Sequence, residues 1–316
     1  MLQFALWRIA GLWWTLFAAS LVIFIVIEVL PGDPAQVMLG MSGDAQSLGA
    51  LREQLGLNAP VAQRYLTWAT GMLHGDFGVS YTYSVPVADL LRERLTVSLP
   101  LAAIALALAT VLGLPLGVLA ARFRGRLSEA GLMAGLQVGV ALPNFWLALL
   151  LIYVFSISLR WLPAGGFAGW EKGLWAGLSS LLLPAVALAL PQAAILARIM
   201  RSALLDVMHE DYIRTARAKG LSRQATLWRH GVRNAMIPVL TVLGLQFSFL
   251  IAGAVIIESV FYLPGLGRLV FQAISQRDLI TVKSTVMLLV TATVLVAFFV
   301  DLAYAAIDPR LRKAPR

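Results

Sequence analysis

The stretch Asp211-Tyr-Ile-Arg-Thr-Ala-Arg-Ala-Lys-Gly220-Leu221 is where charged residues fall at the most telling spacing, and the chemistry they could do is recognition. Glu210 and Asp211 suit the positive end of a short helix, Lys219 suits its negative end, and Gly220 can take the left-handed conformation that stops it. Such a helix is too polar for lipid and too regular for a tether. It reads as a knob held at a membrane surface for a partner to grip.

Catalytic chemistry is poorly supplied by comparison. His74, His209 and His230 fall in loops or surface helices, with no HExxH and no second ligand at helical spacing, so no metal site is expected. A GxSxG nucleophile elbow is missing. Lys283-Ser284 is the only Lys followed by Ser or Thr and lacks the glycines of a phosphate-cradling loop, so the chain is not itself an ATPase. Gly265-Leu-Gly267 follows Pro264 at a membrane exit instead of a strand and is a turn. Without cysteine there is no disulfide, thiol redox pair or thiolate site. The expectation is a non-enzyme that holds no cofactor.

The elements that must position the knob follow from composition. With 316 residues, 59% hydrophobic, 13% charged and mean hydropathy +0.82, the chain has more apolar surface than a soluble domain could hide. An all-α integral membrane protein is expected. Its six apolar runs are long enough to span: Ile9–Leu30, Thr96–Ala121, Ala130–Ser158, Leu178–Ala197, Met236–Tyr262 and Ser284–Ile307. The first resembles a signal peptide, with Arg8 and the small residues Ala18-Ala19-Ser20, but it runs on to Leu30 and is kept as a span. One membrane domain over 1–316 results, with both termini on the same side.

Sixteen of the 25 Lys and Arg lie on one side of these spans, at Arg8, within 122–126, within 198–233 and within 310–316. The positive-inside rule places that side, both termini and the 201–235 loop in the cytoplasm. Lipid topology thus accounts for the net charge of +9, and no nucleic-acid partner is called for. The long segment Pro31–Leu95 then lies outside. It opens on the helix stop Leu30-Pro31-Gly32-Asp33-Pro34, carries helical patterns over Leu48–Leu57 and Gln63–Leu73, and turns at His74-Gly-Asp-Phe-Gly78, which suggests an ordered cap.

Inside the spans, Gly113 and Gly117, and again Gly131, Gly135 and Gly139, recur at four-residue spacing and predict packing seams. Pro115, Pro143, Pro184 and Pro191 predict kinks. Ionisable groups keep to the span ends, at Glu28, Glu258 and Asp301, whereas ion-coupled transporters need charge near the middle of the bilayer. The energy for transport is expected from elsewhere.

Asp211–Leu221, continued by Arg229-His-Gly-Val-Arg-Asn-Ala-Met-Ile-Pro238, resembles the EAA loop of ABC importer permeases in the dipeptide, oligopeptide and nickel branch. Similar support comes from Leu30-Pro-Gly-Asp-Pro34, His74–Gly78, Ile257-Glu-Ser-Val-Phe-Tyr-Leu-Pro-Gly-Leu-Gly267 and Ala306-Ile-Asp-Pro-Arg310, spread over essentially the whole chain. The resemblance implies a type I importer permease fold in a bacterial inner membrane. It also implies that Asp211, Tyr212, Thr215, Ala216, Arg217, Lys219, Gly220 and Leu221 form the coupling helix that seats in a cytoplasmic ATPase. Asp211-Tyr212 stands where the name-giving motif has Glu-Ala, a departure typical of the peptide branch. The implied partners are a second homologous permease, two ATPases that bind ATP and Mg, and an extracytoplasmic solute-binding protein docking on 31–95, 160–177 and 264–283. Peptides are the implied cargo. Nickel, metal chelates, glutathione or another small solute are alternatives, and a stand-alone channel or exchanger would leave the polar helix without a task.

Overall fold

The computed structural model describes Leu2–Val29, Pro34–Leu39 and residues 44–307, with the side chains of 2–5, 34, 37, 38 and 303–307 left out. Leu30-Pro-Gly-Asp33, the 308–310 end of the terminal motif and the basic residues of 310–316 lie outside the described residues. The described chain is helical apart from loops and one bridge between Val79 and Pro86.

Among the described residues, five helices are long and apolar enough to cross a membrane: α1 (Leu2–Val29), α5 (Val87–Arg122), α8 (Leu174–Val207), a continuous stretch Arg223–Val260 and α13 (Leu279–Ile307). The sixth expected span is a broken pair, α6 (Leu127–Ala141) and α7 (Asn144–Leu151), the latter running into a π-helical turn over Ile152–Ser158. The pair bends by 101°. Leu142, forced out of the helical region by the ring of the next residue, is extended at φ −78°, ψ 130°, and Pro143, itself extended at ψ 137°, is the N-cap of a new helix that starts at Asn144. The sequence reads Ala130–Ser158 as one span kinked at Pro143, and the bend falls at that proline. By contrast Pro115, Pro184 and Pro191 sit inside continuous helices. α5 and α8 also extend beyond their apolar runs, because a helix is ended by caps and not by polarity.

Two compact units divide the chain. One contains Leu99–Leu263 and the last part of α13 from Val296. Its core is built on α8, where Leu196, Met200 and Leu204 are buried with Ala235 and Val239 of α11 (Arg233–Val260). Here α5 approaches α8 with backbone against backbone. A Cβ on Gly113 would stand 2.7 Å from the Ala193 carbonyl oxygen, and one on Gly117 would stand 2.5 Å from that of Ala197. Gly131, Gly135 and Gly139 differ: added Cβ atoms would meet nothing within 4 Å, so the seam predicted for them is not made among the described residues.

The other unit contains Ala5–Ser98 and Pro264–Leu295. Between α1 and α5 it carries α2 (Pro34–Leu39), α3 (Ala45–Gln54) and α4 (Val61–Leu73). Trp68 and Tyr65 of α4 pack on Phe24 of α1 with ring centroids 6.0 and 5.3 Å away, and Lys283 places its ammonium 5.0 Å from the Phe24 ring centroid. An ion pair joins Arg64 to Glu28. After the turn at Gly78, where φ is +82°, the loop is tied down by Asp278, whose carboxylate accepts from Ser80 Oγ, the Tyr81 and Thr82 amides and Thr281 Oγ1. Burial, reinforced by the Asp278 charge, raises the Tyr81 phenol above its ordinary pKa. α12 (Leu266–Ser275) completes this unit, with its first amide bonded to Ser98 Oγ at 2.8 Å and with Leu266 and Leu269 packed on Val87 and Leu91.

Candidate functional site

Within the first unit, the polar stretch singled out in the sequence forms the eight-residue helix α9 (Asp211–Ala218) between α8 and α11. Ile213 is its single buried side chain, 1% exposed. Ile213 is the one large aliphatic residue of α9, and such a residue is what an anchored surface helix requires. Asp211, Tyr212, Arg214, Thr215, Arg217, Lys219 and Gly220 are all exposed, while Ala216 and Leu221 are half-buried. The eight expected docking residues therefore lie on this one element and the turn that ends it.

The end of α9 is built by backbone hydrogen bonds. The Gly220 amide donates to the Arg217 carbonyl at 3.0 Å and the Leu221 amide to the Ala216 carbonyl at 3.3 Å, a Schellman pair closed by Gly220 at φ +93°. Ser222 then caps the short α10 (Arg223–Thr226), accepting from the Ala225 amide at 3.2 Å. At the start, Asp211 lies near the positive helix end and pairs with Arg214 at 3.3 Å, a contact so exposed that it contributes little.

Three supports escaped sequence reading because they depend on tertiary approach. The Tyr212 phenol is raised above its ordinary pKa by partial burial and the Glu210 charge, with the Asn234 side chain at the head of α11 opposing them, and Asn234 Nδ2 donates to the His230 carbonyl at 2.8 Å. His209 hangs from the Leu205 carbonyl through Nδ1 at 2.6 Å and meets Arg124 Nη1 through Nε2 at 3.2 Å. Gly231, in the π-helical turn Leu227–Val232 that joins α10 to α11, leaves room for Leu204 and Met208; a Cβ there would stand 2.9 and 3.1 Å from their side-chain atoms. Nearby, Arg201 Nε donates to Glu129 Oε1 at 2.6 Å and the Gly125 amide donates to Glu129 Oε2 at 2.6 Å, which holds the loop before α6 against α8. α9 is thus rigidly mounted, solvent-facing and charged.

Such an arrangement can bind and transmit force, and nothing in it can act as a nucleophile with its base. Among the described residues no group of His, Asp and Glu is placed to hold a metal ion.

The family described as binding-protein-dependent transport system inner membrane component matches residues 113–313, and its N-terminal part matches residues 1–102. A probable peptide ABC transporter permease, y4tP of Sinorhizobium fredii, is 41% identical over 92% of this chain and 93% of its own length. The glutathione transport system permease GsiC of Escherichia coli K12 is 39% identical over 99% of both chains. A chain of the inward-facing MetNI methionine ABC transporter shares the fold, with a TM-score of 0.59 at 19% identity over 69% of this chain and 96% of that one. The protein accordingly belongs to the binding-protein-dependent inner membrane components, the multi-pass, non-catalytic permease subunits of ABC importers that work with ATPase and solute-binding partners.

Proposed function

We propose that this chain is one of two related permease subunits of a peptide importer, and that α9 is the element one of two cytoplasmic ATPases grips. The observation that carries this is the mounting of α9: one buried anchor, Ile213, a charged outward face and a Schellman stop at Gly220, on a helix set between α8 and α11. ATP and Mg are bound by the ATPases, so energy enters the membrane helices as displacement of α9. Peptide cargo is supported by relatives named for peptides and for glutathione, itself a short peptide. The residues 31–95, 160–177 and 264–283 form the outer surface that receives the loaded binding protein.

Affinity purification of the tagged chain in mild detergent tests this reading. A second permease and ATPase subunits are expected to stay bound, with ATP hydrolysis stimulated by peptide-loaded binding protein. A chain that emerges alone and inactive in several detergents would instead be a self-sufficient channel or exchanger. Orientation is tested separately, since the chain has no cysteine to interfere. Arg217→Cys should react with an impermeant maleimide only after the membrane is opened; labelling of intact cells would place α9 outside.

A further inference from the structure

Among the described residues, the one side chain of α6 that is buried is a charged one, Glu129, at 8% exposure. Beyond the 101° bend, α7 buries Ala148 and no other residue. The α6–α7 pair is thus lightly packed by apolar contact, whereas α8 beside it is buried along most of its length. What ties α6 to the rest of its unit is therefore concentrated at its first turn.

There the Glu129 carboxylate joins three elements. Its Oε1 accepts from Arg201 Nε at 2.6 Å and also from Arg201 Nη2, a two-donor grip that fixes direction as well as distance. Its Oε2 accepts from the Gly125 amide, which finishes a helix start where Arg126 supplies no side-chain cap. About two turns further along the chain from Arg201, His209 meets Arg124 of the same α5–α6 turn. Both ties lie on the stretch of chain that runs from the last turns of α8 into α9. Apolar contacts can slide past one another, but a desolvated ion pair cannot be stretched without leaving a bare charge behind. Movement of the end of α8 is accordingly passed to α6 at this point.

We propose that Glu129 and Arg201 are positioning residues of the transport cycle: when an ATPase displaces α9, Arg201 passes the movement of α8 to α6, and α6 passes it through the bend to α7. The inference rests on the reading of α9 given above. The complete importer with its binding protein, reconstituted in liposomes, is assayed for uptake of a labelled dipeptide per ATP hydrolysed. Arg201→Ala and Glu129→Gln are expected to lower that ratio on the order of fivefold, while loaded binding protein still stimulates hydrolysis. Glu129→Gln keeps the size of the side chain and an acceptor for the Gly125 amide, and serves where Arg201→Ala does not assemble. Arg201→Lys, which retains a cation for Glu129, should keep most of the ratio. A clamp that only stabilised the fold would instead lower uptake and hydrolysis together, with less chain in the membrane. That proportional loss, an unchanged ratio in both variants, or a loss in Arg201→Lys equal to that in Arg201→Ala overturns the inference. Failure of the wild type to hydrolyse ATP in response to loaded binding protein, or normal uptake in Gly220→Asp, overturns the reading of α9 instead.

Discussion

Gly220→Asp should leave the permease inserted and assembled while uptake falls on the order of tenfold or more. The reason is local. Gly220 sits at φ +93°, beyond the roughly +50 to +70° that side-chain-bearing residues reach in the left-handed well. Forcing a Cβ there costs about 1–2 kcal/mol, and a carboxylate at the negative end of α9 adds about 0.3–1 kcal/mol. These costs fall on the last turn of an eight-residue helix that has one buried side chain to hold it. The two hydrogen bonds that close the turn, to the carbonyls of Arg217 and Ala216, are lost with it. Ala216→Arg should act similarly by a different route, inserting a long cation where the helix is half-buried. Uptake, ATPase activity and membrane content measured on the same preparation decide the matter: lost uptake with normal content and unstimulated ATPase is expected, and normal uptake in either variant would exclude α9 as the coupling element.

Gly117→Leu should strongly destabilise the folded chain in the membrane. An added Cβ would meet the Ala197 carbonyl oxygen at 2.5 Å and Met200 Cβ at 2.7 Å, so backbone, not a yielding side chain, stands in the way. Overpacking commonly costs about 1–3 kcal/mol, and a helix-to-helix seam that cannot shift lies at or above the upper end. Gly135→Ala supplies the control, since a Cβ there meets nothing within 4 Å. Thermal unfolding of the detergent-solubilised chain should show a large loss for Gly117→Leu and no loss for Gly135→Ala. Equal effects from both would mean that the α5–α8 approach does not govern stability.

The spans, the polar helix α9 and its glycine stop were legible in the sequence because each depends on local pattern: apolar runs, charge at helix ends and one residue without a Cβ. The five uninterrupted spans differ from expectation mainly at their ends. Pro143 was read as a kink like Pro115, Pro184 and Pro191, and it alone of the four separates two helices. A proline in the sequence states that a hydrogen bond is missing, while neighbouring packing determines whether the helix continues past it. Likewise Gly113–Gly117 and Gly131–Gly139 carry the same spacing, yet only the first pair is met by a partner helix inside the chain. The Arg124–His209 contact and the Gly231 clearance were invisible because they join residues separated by turns whose path the sequence does not specify.

The single anchor of α9 has a consequence for how such a permease can diverge. Ile213 is constrained by the core, but the residues around it touch little else in the chain, so they can be exchanged without disturbing the fold. On the proposed reading, the outward face is free to drift in step with whichever ATPase subunit it meets. A gene duplicate could thereby acquire a new motor by surface substitutions alone, keeping its membrane interior and the cargo that interior admits.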